Sequence, residues 1–195
     1  MAGHDEAILD LFRKAGALLE GHFLLTSGLH SPKYLQCAQV LQDPALAGRL
    51  CSRLARGFAD DRIQCVVGPA VGGILVAYEL ARALGARTIY AERVDGQMTL
   101  RRGFAVRPGE RVLLAEDVVT TGGSLHEVRD LVTAAGGDVV AVAALVDRTS
   151  GRDPAFGRPF ISLIKVDAPA YPPESCPQCQ AGLPVVKPGR TGKPL

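Results

Sequence analysis

Val139–Val146 (VVAVAALV) is eight apolar residues in a row, so neither face of that segment can be left in water. A strand with one wet face alternates apolar and polar positions. An unbroken run belongs inside a sheet covered on both sides, which means parallel strands packed between helices. The surrounding sequence supplies such a setting. Cys65–Val67 ending at Gly68, Thr88–Ala91, and Arg111–Ala115 after Pro108-Gly109 read as short buried strands. Ile74–Leu84, stopped by Gly85, and Leu125–Ala135, closed by Gly136-Gly137, read as the intervening helices. Upstream, Leu46, Leu50, Leu54 and Phe58 fall four apart, so Asp43–Phe58 reads as a helix capped by Asp43, with Pro44 in its first turn. Ile8, Leu9, Phe12 and Ala15 mark a first helix ended by Gly16. Two short extended pieces, Ala17–Leu19 and His22–Leu25, lead to a polar turn through Thr26, Ser27 and Gly28. The expected fold is α/β, a parallel sheet flanked by helices.

A chain of 195 residues suits one domain, and 47% apolar with 22% charged residues is ordinary for a globular protein. A formal charge of +2 lacks the dense basic excess of a nucleic-acid binder. Met1–Leu19 carries Asp5, Glu6 and Asp10, so no signal-peptide core is read there, and the eight-residue apolar run is far below the ~18 a membrane helix needs. Of five cysteines, Cys37, Cys51 and Cys65 lie in apolar segments and read as reduced, packed thiols of a cytoplasmic protein. The prolines crowd towards the C-terminus, as in a tail running over a surface.

The most informative passage is Val112–Ser124 (VLLAEDVVTTGGS). An apolar strand delivers Glu116 and Asp117 at its C-terminal end, where open α/β sheets bind ligands. Val118, Val119, Thr120, Thr121, Gly122, Gly123 and Ser124 then open a helix. The glycines let the backbone approach a ligand closely, their amides converge on an anion, and the hydroxyls add donors. That is a phosphate cup without a lysine. Two carboxylates beside it would repel the phosphate unless they face something else, and ribose hydroxyls one sugar ring away suit them. Neither a P-loop nor a G-x-G-x-x-G after a strand occurs. The segment Glu92–Arg107 (ERVDGQMTLRRGFAVR) breaks the α/β pattern. It is basic and glycine-hinged, with Met98–Leu100 able to pair as a hairpin strand, and reads as a lid or a solvated hairpin.

Residues 112–124 resemble the phosphoribosyl-pyrophosphate signature of type I phosphoribosyltransferases. Within that group the chain resembles the orotate phosphoribosyltransferases at three further places. Gly21–Gln36 contains S-G-x-x-S-P, Glu92–Phe104 is similar to a mobile catalytic loop, and Arg148 ends the next strand. The resemblance implies transfer of a phosphoribosyl group from phosphoribosyl pyrophosphate to orotate, with Mg²⁺ held mainly through the donor and no direct protein ligand. By that resemblance Glu116 and Asp117 hold the ribose hydroxyls, Thr120–Ser124 the 5′-phosphate, and Val71 and Gly72, in Gly68–Gly73, the pyrophosphate. Thr120, Arg148, Tyr34 and Leu35 contact orotate. It further implies a homodimer whose lid reaches the neighbouring site. On this reading the chain is one domain: a hood over 1–40, a core over 41–166 with the lid at 92–107, and a tail over 167–195.

The sequence departs from the family in its basic residues. Thr26 stands where many members carry lysine before S-G, the lid matches R-K-x-x-K-x-H only at Arg93, and Val71-Gly72-Gly73 has no lysine. Arg93, Arg101 and Arg102 are expected to neutralise the pyrophosphate instead. Cys176-Pro177-Gln178-Cys179 is a C-x-x-C, but zinc normally needs two more ligands nearby and the histidines are His4, His22, His30 and His126, so a packed tail is expected. His30 and Lys33 read as ligand contacts or solvated loop residues, and His126 as surface. Two other functions stand beside the first. A purine transferase would want an aromatic residue near Val146, where Asp147-Arg148-Thr149-Ser150 stands. A non-catalytic regulator would want a basic nucleic-acid surface.

Overall fold

The computed structural model describes residues 2–25 and 27–188, with the side chains of residues 2–5 excepted. Thr26 therefore lies outside the described residues. Helix α1 (Ala2–Lys14) buries Ile8 and Phe12 and gives way at Gly16, whose φ of 69° is the left-handed turn expected there. Strands β1 (Leu18–Leu24) and β2 (His30–Leu35) form an antiparallel hairpin. The two extended pieces read from sequence are thus one strand, interrupted by a register shift between Glu20 and Phe23. Ser31 pairs with Phe23 and Lys33 with Glu20, leaving Gly21 and His22 opposite Pro32. A bulge is where a proline, which cannot donate to the ladder, is tolerated.

Short helix α2 (Ala38–Leu41) leads to α3 (Pro44–Ala55), where Asp43 Oδ1 accepts from the amides of Ala45 at 2.9 Å and Leu46 at 3.1 Å. A 3-10 turn, Arg56–Phe58, completes the segment expected to be helical. Then follow β3 (Cys65–Pro69), α4 (Gly72–Leu84), β4 (Arg87–Val94), β5 (Gln97–Leu100), β6 (Arg111–Val119), α5 (Gly123–Ala134), β7 (Asp138–Asp147), β8 (Phe160–Lys165) and α6 (Pro177–Gln180).

The six-stranded sheet has the order β5-β4-β3-β6-β7-β8, parallel throughout except that β5 returns antiparallel along β4. Alternate residues of the buried strands feed two cores. Leu113 and Ala115 face α1, α3 and α4, whereas Val112 and Leu114 face α5 and the β5 segment. Cores on both faces explain why these strands read as unbroken apolar runs. The same sequence logic missed β2 and β8, which are short and carry polar residues. Among the described residues no helix is long and apolar enough to cross a membrane.

Candidate active site

The strand order locates the site before any side chain is considered. From β3 the chain steps outward to β4 on one side, while β6, β7 and β8 lie on the other. The loops after β3 and β6 therefore diverge at their C-terminal ends, the crevice where ligands bind in open α/β sheets. β6 pairs with β3 only as far as Leu114 but stays paired with β7 as far as Val119. Glu116–Val119 is thus still strand, extending β6 past the Ala115 end read from sequence, with one edge open towards the β3 turn.

That turn is pressed against the acids. A Cβ added at Gly72 would sit 2.6 Å from the Asp117 carboxylate, so glycine there lets the backbone of Val71-Gly72 lie on the acid pair. The Ala70–Val71 peptide within this turn is cis. Burial, reinforced by neighbouring Asp117, pushes the Glu116 carboxyl from 4.5 up to about 8. Burial also raises Asp117, opposed by the amides of Val118 and of Asp117 itself, and its Oδ1 accepts from Val118 N at 2.9 Å. Two half-buried carboxyls with few donors are poised to gain from hydroxyl donors or a hard cation.

Past Val119 the chain turns into α5. Gly122 is its N-cap, with φ 81°, and a Cβ there would meet the Phe156 ring at 2.7 Å, so both backbone and packing require glycine. A glycine cap has no side chain to satisfy the first amides, and no acid stands in the first turn. The positive end of α5 is left for an outside anion. Thr120, Thr121, Gly122, Gly123 and Ser124 line a cavity of about 380 Å³ together with Glu116, Val118, Val119, Arg93 and Glu127. Arg93 is held at its rim, its guanidinium donating to Glu127 Oε1 and to the Gly96 carbonyl, both at 2.6 Å.

Other groups approach from either side. The Arg148 amide donates to Val119 O at 2.8 Å, fixing Arg148 beside the cup, and burial of its side chain lowers the guanidinium pKa. Tyr34 and Leu35 end β2, and the next buried residue, Cys37, has its thiol pushed up by burial and by the Asp117 carboxylate. Strand β2 therefore runs into the core next to the acids.

Residues 37–159 match the model of the phosphoribosyl transferase domain, more than half of the chain. An orotate phosphoribosyltransferase from Heliobacterium modesticaldum is 56% identical over 190 residues, covering 94% of this chain and 97% of its own. That from Carboxydothermus hydrogenoformans is 56% identical over 181 residues, covering 92% and 94%. The chain belongs to the orotate phosphoribosyltransferase family. Among solved structures, orotate phosphoribosyltransferase from Aeropyrum pernix superposes with a TM-score of 0.68 at 27% identity, over 80% of this chain and 92% of that one.

For a member of this family the structure sorts the expected site residues into two groups. Glu116, Val118–Ser124 and Arg93 share one cavity, with Asp117 beside it against Gly72 and Arg148 bonded to Val119. Arg101 and Arg102 do not line that cavity. Arg102 instead reaches Glu92, Nε to Oε1 at 3.3 Å, and lies over the Tyr90 ring at 6.0 Å. Val71 is 83% exposed at the mouth of the β3 turn. His126 is half-buried, its Nε2 2.8 Å from the Pro154 carbonyl, and His30 is buried on β2 rather than solvated in a loop. Two residues escaped the sequence reading. Glu127 orients Arg93, and Arg152 lines a smaller cavity of about 130 Å³ with Thr120, Thr121 and Thr149. Arg152 lies four residues beyond Arg148, after a Ser150-Gly151 turn with positive φ at both, a signal visible only as S-G.

Proposed function

We propose that this chain transfers the phosphoribosyl group of phosphoribosyl pyrophosphate to orotate, giving orotidine 5′-monophosphate and pyrophosphate in pyrimidine biosynthesis. The observation that carries this is the adjacency of two half-buried carboxyls to a glycine-capped helix start at the switch point. One ligand satisfies both: a 5′-phosphate on the amides of Thr120–Ser124 and ribose hydroxyls on Glu116 and Asp117. The donor's pyrophosphate then lies towards Val71 and Gly72.

Orotate is a planar carboxylate, and its partners are Arg148, whose fork suits such a group, Thr120, and the end of β2 at Tyr34 and Leu35. As the bond to pyrophosphate breaks, negative charge grows on the leaving group while the sugar becomes cationic. Cations that strengthen their hold during that change lower the barrier. Arg93 is already at the rim. Arg101 and Arg102 arrive when the 92–107 lid closes, which also excludes water from the cationic sugar. The paired oxygen acids fit a hard cation carried by the donor, and Mg²⁺ supplies positive charge to the pyrophosphate when bound.

A homodimer with lids exchanged between sites completes the reading. Val71, Leu75 and Tyr78 are 83%, 49% and 56% exposed and recur at helical spacing beside the pyrophosphate turn, so a partner seated there lands next to the site. The domain plan is one unit, hood over 1–40, core over 41–166 and tail over 167–195, in a reduced, cytoplasmic setting. The test is incubation with phosphoribosyl pyrophosphate, Mg²⁺ and orotate while orotate absorbance is followed. The reading requires that absorbance to fall and adenine or hypoxanthine not to replace orotate. No fall with orotate, or turnover of a purine, overturns it.

A further inference from the structure

The tail beyond the sheet has little to hold it. From Tyr171 to Pro188, Cys176 is the one buried residue, while Leu183, Val185 and Val186 are 51%, 48% and 42% exposed. Its regular structure is a 3-10 turn over Pro173–Ser175 and the four-residue α6. Yet the tail grips both edges of the hood hairpin. Tyr171 exchanges two backbone hydrogen bonds with His30 at 2.8 Å, and Val186 bonds His22 O at 2.8 Å and Leu24 N at 2.9 Å. A segment without a core that keeps a fixed path needs a staple.

Four side chains converge where that staple belongs. His22, His30, Cys176 and Cys179 each present one ligand atom, all within 4.8 Å of one another. His22 and His30 are both buried, with their rings edge to face at 4.7 Å between centroids. His22 Nε2 lies 3.6 Å from each sulfur, and His30 Nδ1 lies 3.2 Å from Cys179 Sγ. The two ring nitrogens are 2.8 Å apart. A tetrahedral ion with bonds of about 2.0–2.3 Å sets its ligands about 3.3–3.8 Å apart. Both His22–sulfur distances fall in that range, His30–Cys179 is just short of it, and the histidine pair must open to admit the ion.

The surroundings favour coordination. His22 Nδ1 is 2.8 Å from the Leu183 carbonyl, which can only accept. The proton therefore sits on Nδ1, and Nε2 offers a lone pair to the cluster, the outer-shell arrangement usual for metal-bound histidine. Three of the four residues are buried, with Cys179 the most accessible and a route for entry. We propose that His22, His30, Cys176 and Cys179 bind one structural Zn²⁺ that fastens the tail to the hood hairpin. Two thiolates and two imidazoles favour zinc over the hard cation of the catalytic cleft, and a closed set of four protein ligands marks it as structural. Cys176 and Cys179 lose their protons on binding, so the site adds no net charge at two thiolates to one Zn²⁺.

The test uses the full chain, purified under reducing conditions. About one zinc per chain is expected, falling below about a tenth in Cys179→Ala and staying near one in the Cys51→Ala control, whose cysteine lies in α3. Should Cys179→Ala not fold, Co²⁺ titration of the zinc-stripped wild type decides. Thiolate charge-transfer and tetrahedral absorption bands saturating at one equivalent support the site. A zinc content that survives Cys179→Ala overturns it. So does a zinc-free protein whose Co²⁺ spectrum shows no thiolate band, because the four side chains then form only a histidine–thiol hydrogen-bond network.

Discussion

Glu116 shows how a residue's cost in the fold becomes its use in the site. Its folded pKa of about 8 lies above its ordinary 4.5, so the folded state holds an extra proton between those values. Stability on this account is full below about pH 4.5 and falls as pH rises through 8. A carboxyl open on one side to the cleft feels that penalty less than its full size. Glu116→Gln should remove a loss on the order of 2 kcal/mol between pH 5 and 9, measured by denaturant unfolding at both pH values. A variant whose stability tracks the wild type across that range contradicts it. Gly72 is a steric counterpart. In Gly72→Ala the methyl group lands 2.6 Å from the Asp117 carboxylate and displaces the acid. About a 100-fold loss of kcat/KM for phosphoribosyl pyrophosphate is expected from misplacement of that size, with circular dichroism unchanged. Activity within a factor of two of wild type would show that the acid tolerates the shift.

Among elements, the two ends of β6 divide stability from chemistry. At its start, Glu110 takes both oxygens to Arg87, at 2.7 and 2.5 Å, and accepts from the Arg107 amide at 3.0 Å. The Arg87 hydrogen bonds hold its carboxyl below the usual carboxylate range. Glu110→Ala strands Arg87 beside the strand start and should cost about 3 kcal/mol, while KM for either substrate stays unchanged because the site lies at the other end. A substantial KM change would show that the two ends are coupled. The same strand explains what was legible from residues alone. V-L-L-A followed by E-D, and T-T-G-G-S opening a helix, carry their chemistry in local sequence. β2 did not, because H-S-P-K-Y-L has a proline that only the bulge opposite Gly21 and His22 accommodates. β8 did not because its register is set by β7 rather than by a turn signal.

At the scale of the whole molecule, the exposed Val71, Leu75 and Tyr78 face is the test of assembly. Tyr78→Asp should shift sedimentation from dimer to monomer and lose most activity, and a monomeric wild type, or a dimeric variant, counts against that face. Arg102 lies outside the cup's lining, so its role belongs to the lid. Arg102→Ala and Glu116→Gln chains, each impaired alone, should regain activity on mixing if each lid serves its partner's site. An Arg102→Ala enzyme with unchanged kcat and donor KM removes that role altogether. The parallel sheet and the phosphate cup were readable from order and composition, because an apolar run, a capped helix and a glycine turn act on neighbours along the chain. Arg152 beside Thr120, Glu127 on Arg93, and two histidines meeting two cysteines more than 140 residues later were not. Those depend on which strand lies next to which and on where the tail crosses the hairpin, and such distances exist only once the chain has closed on itself.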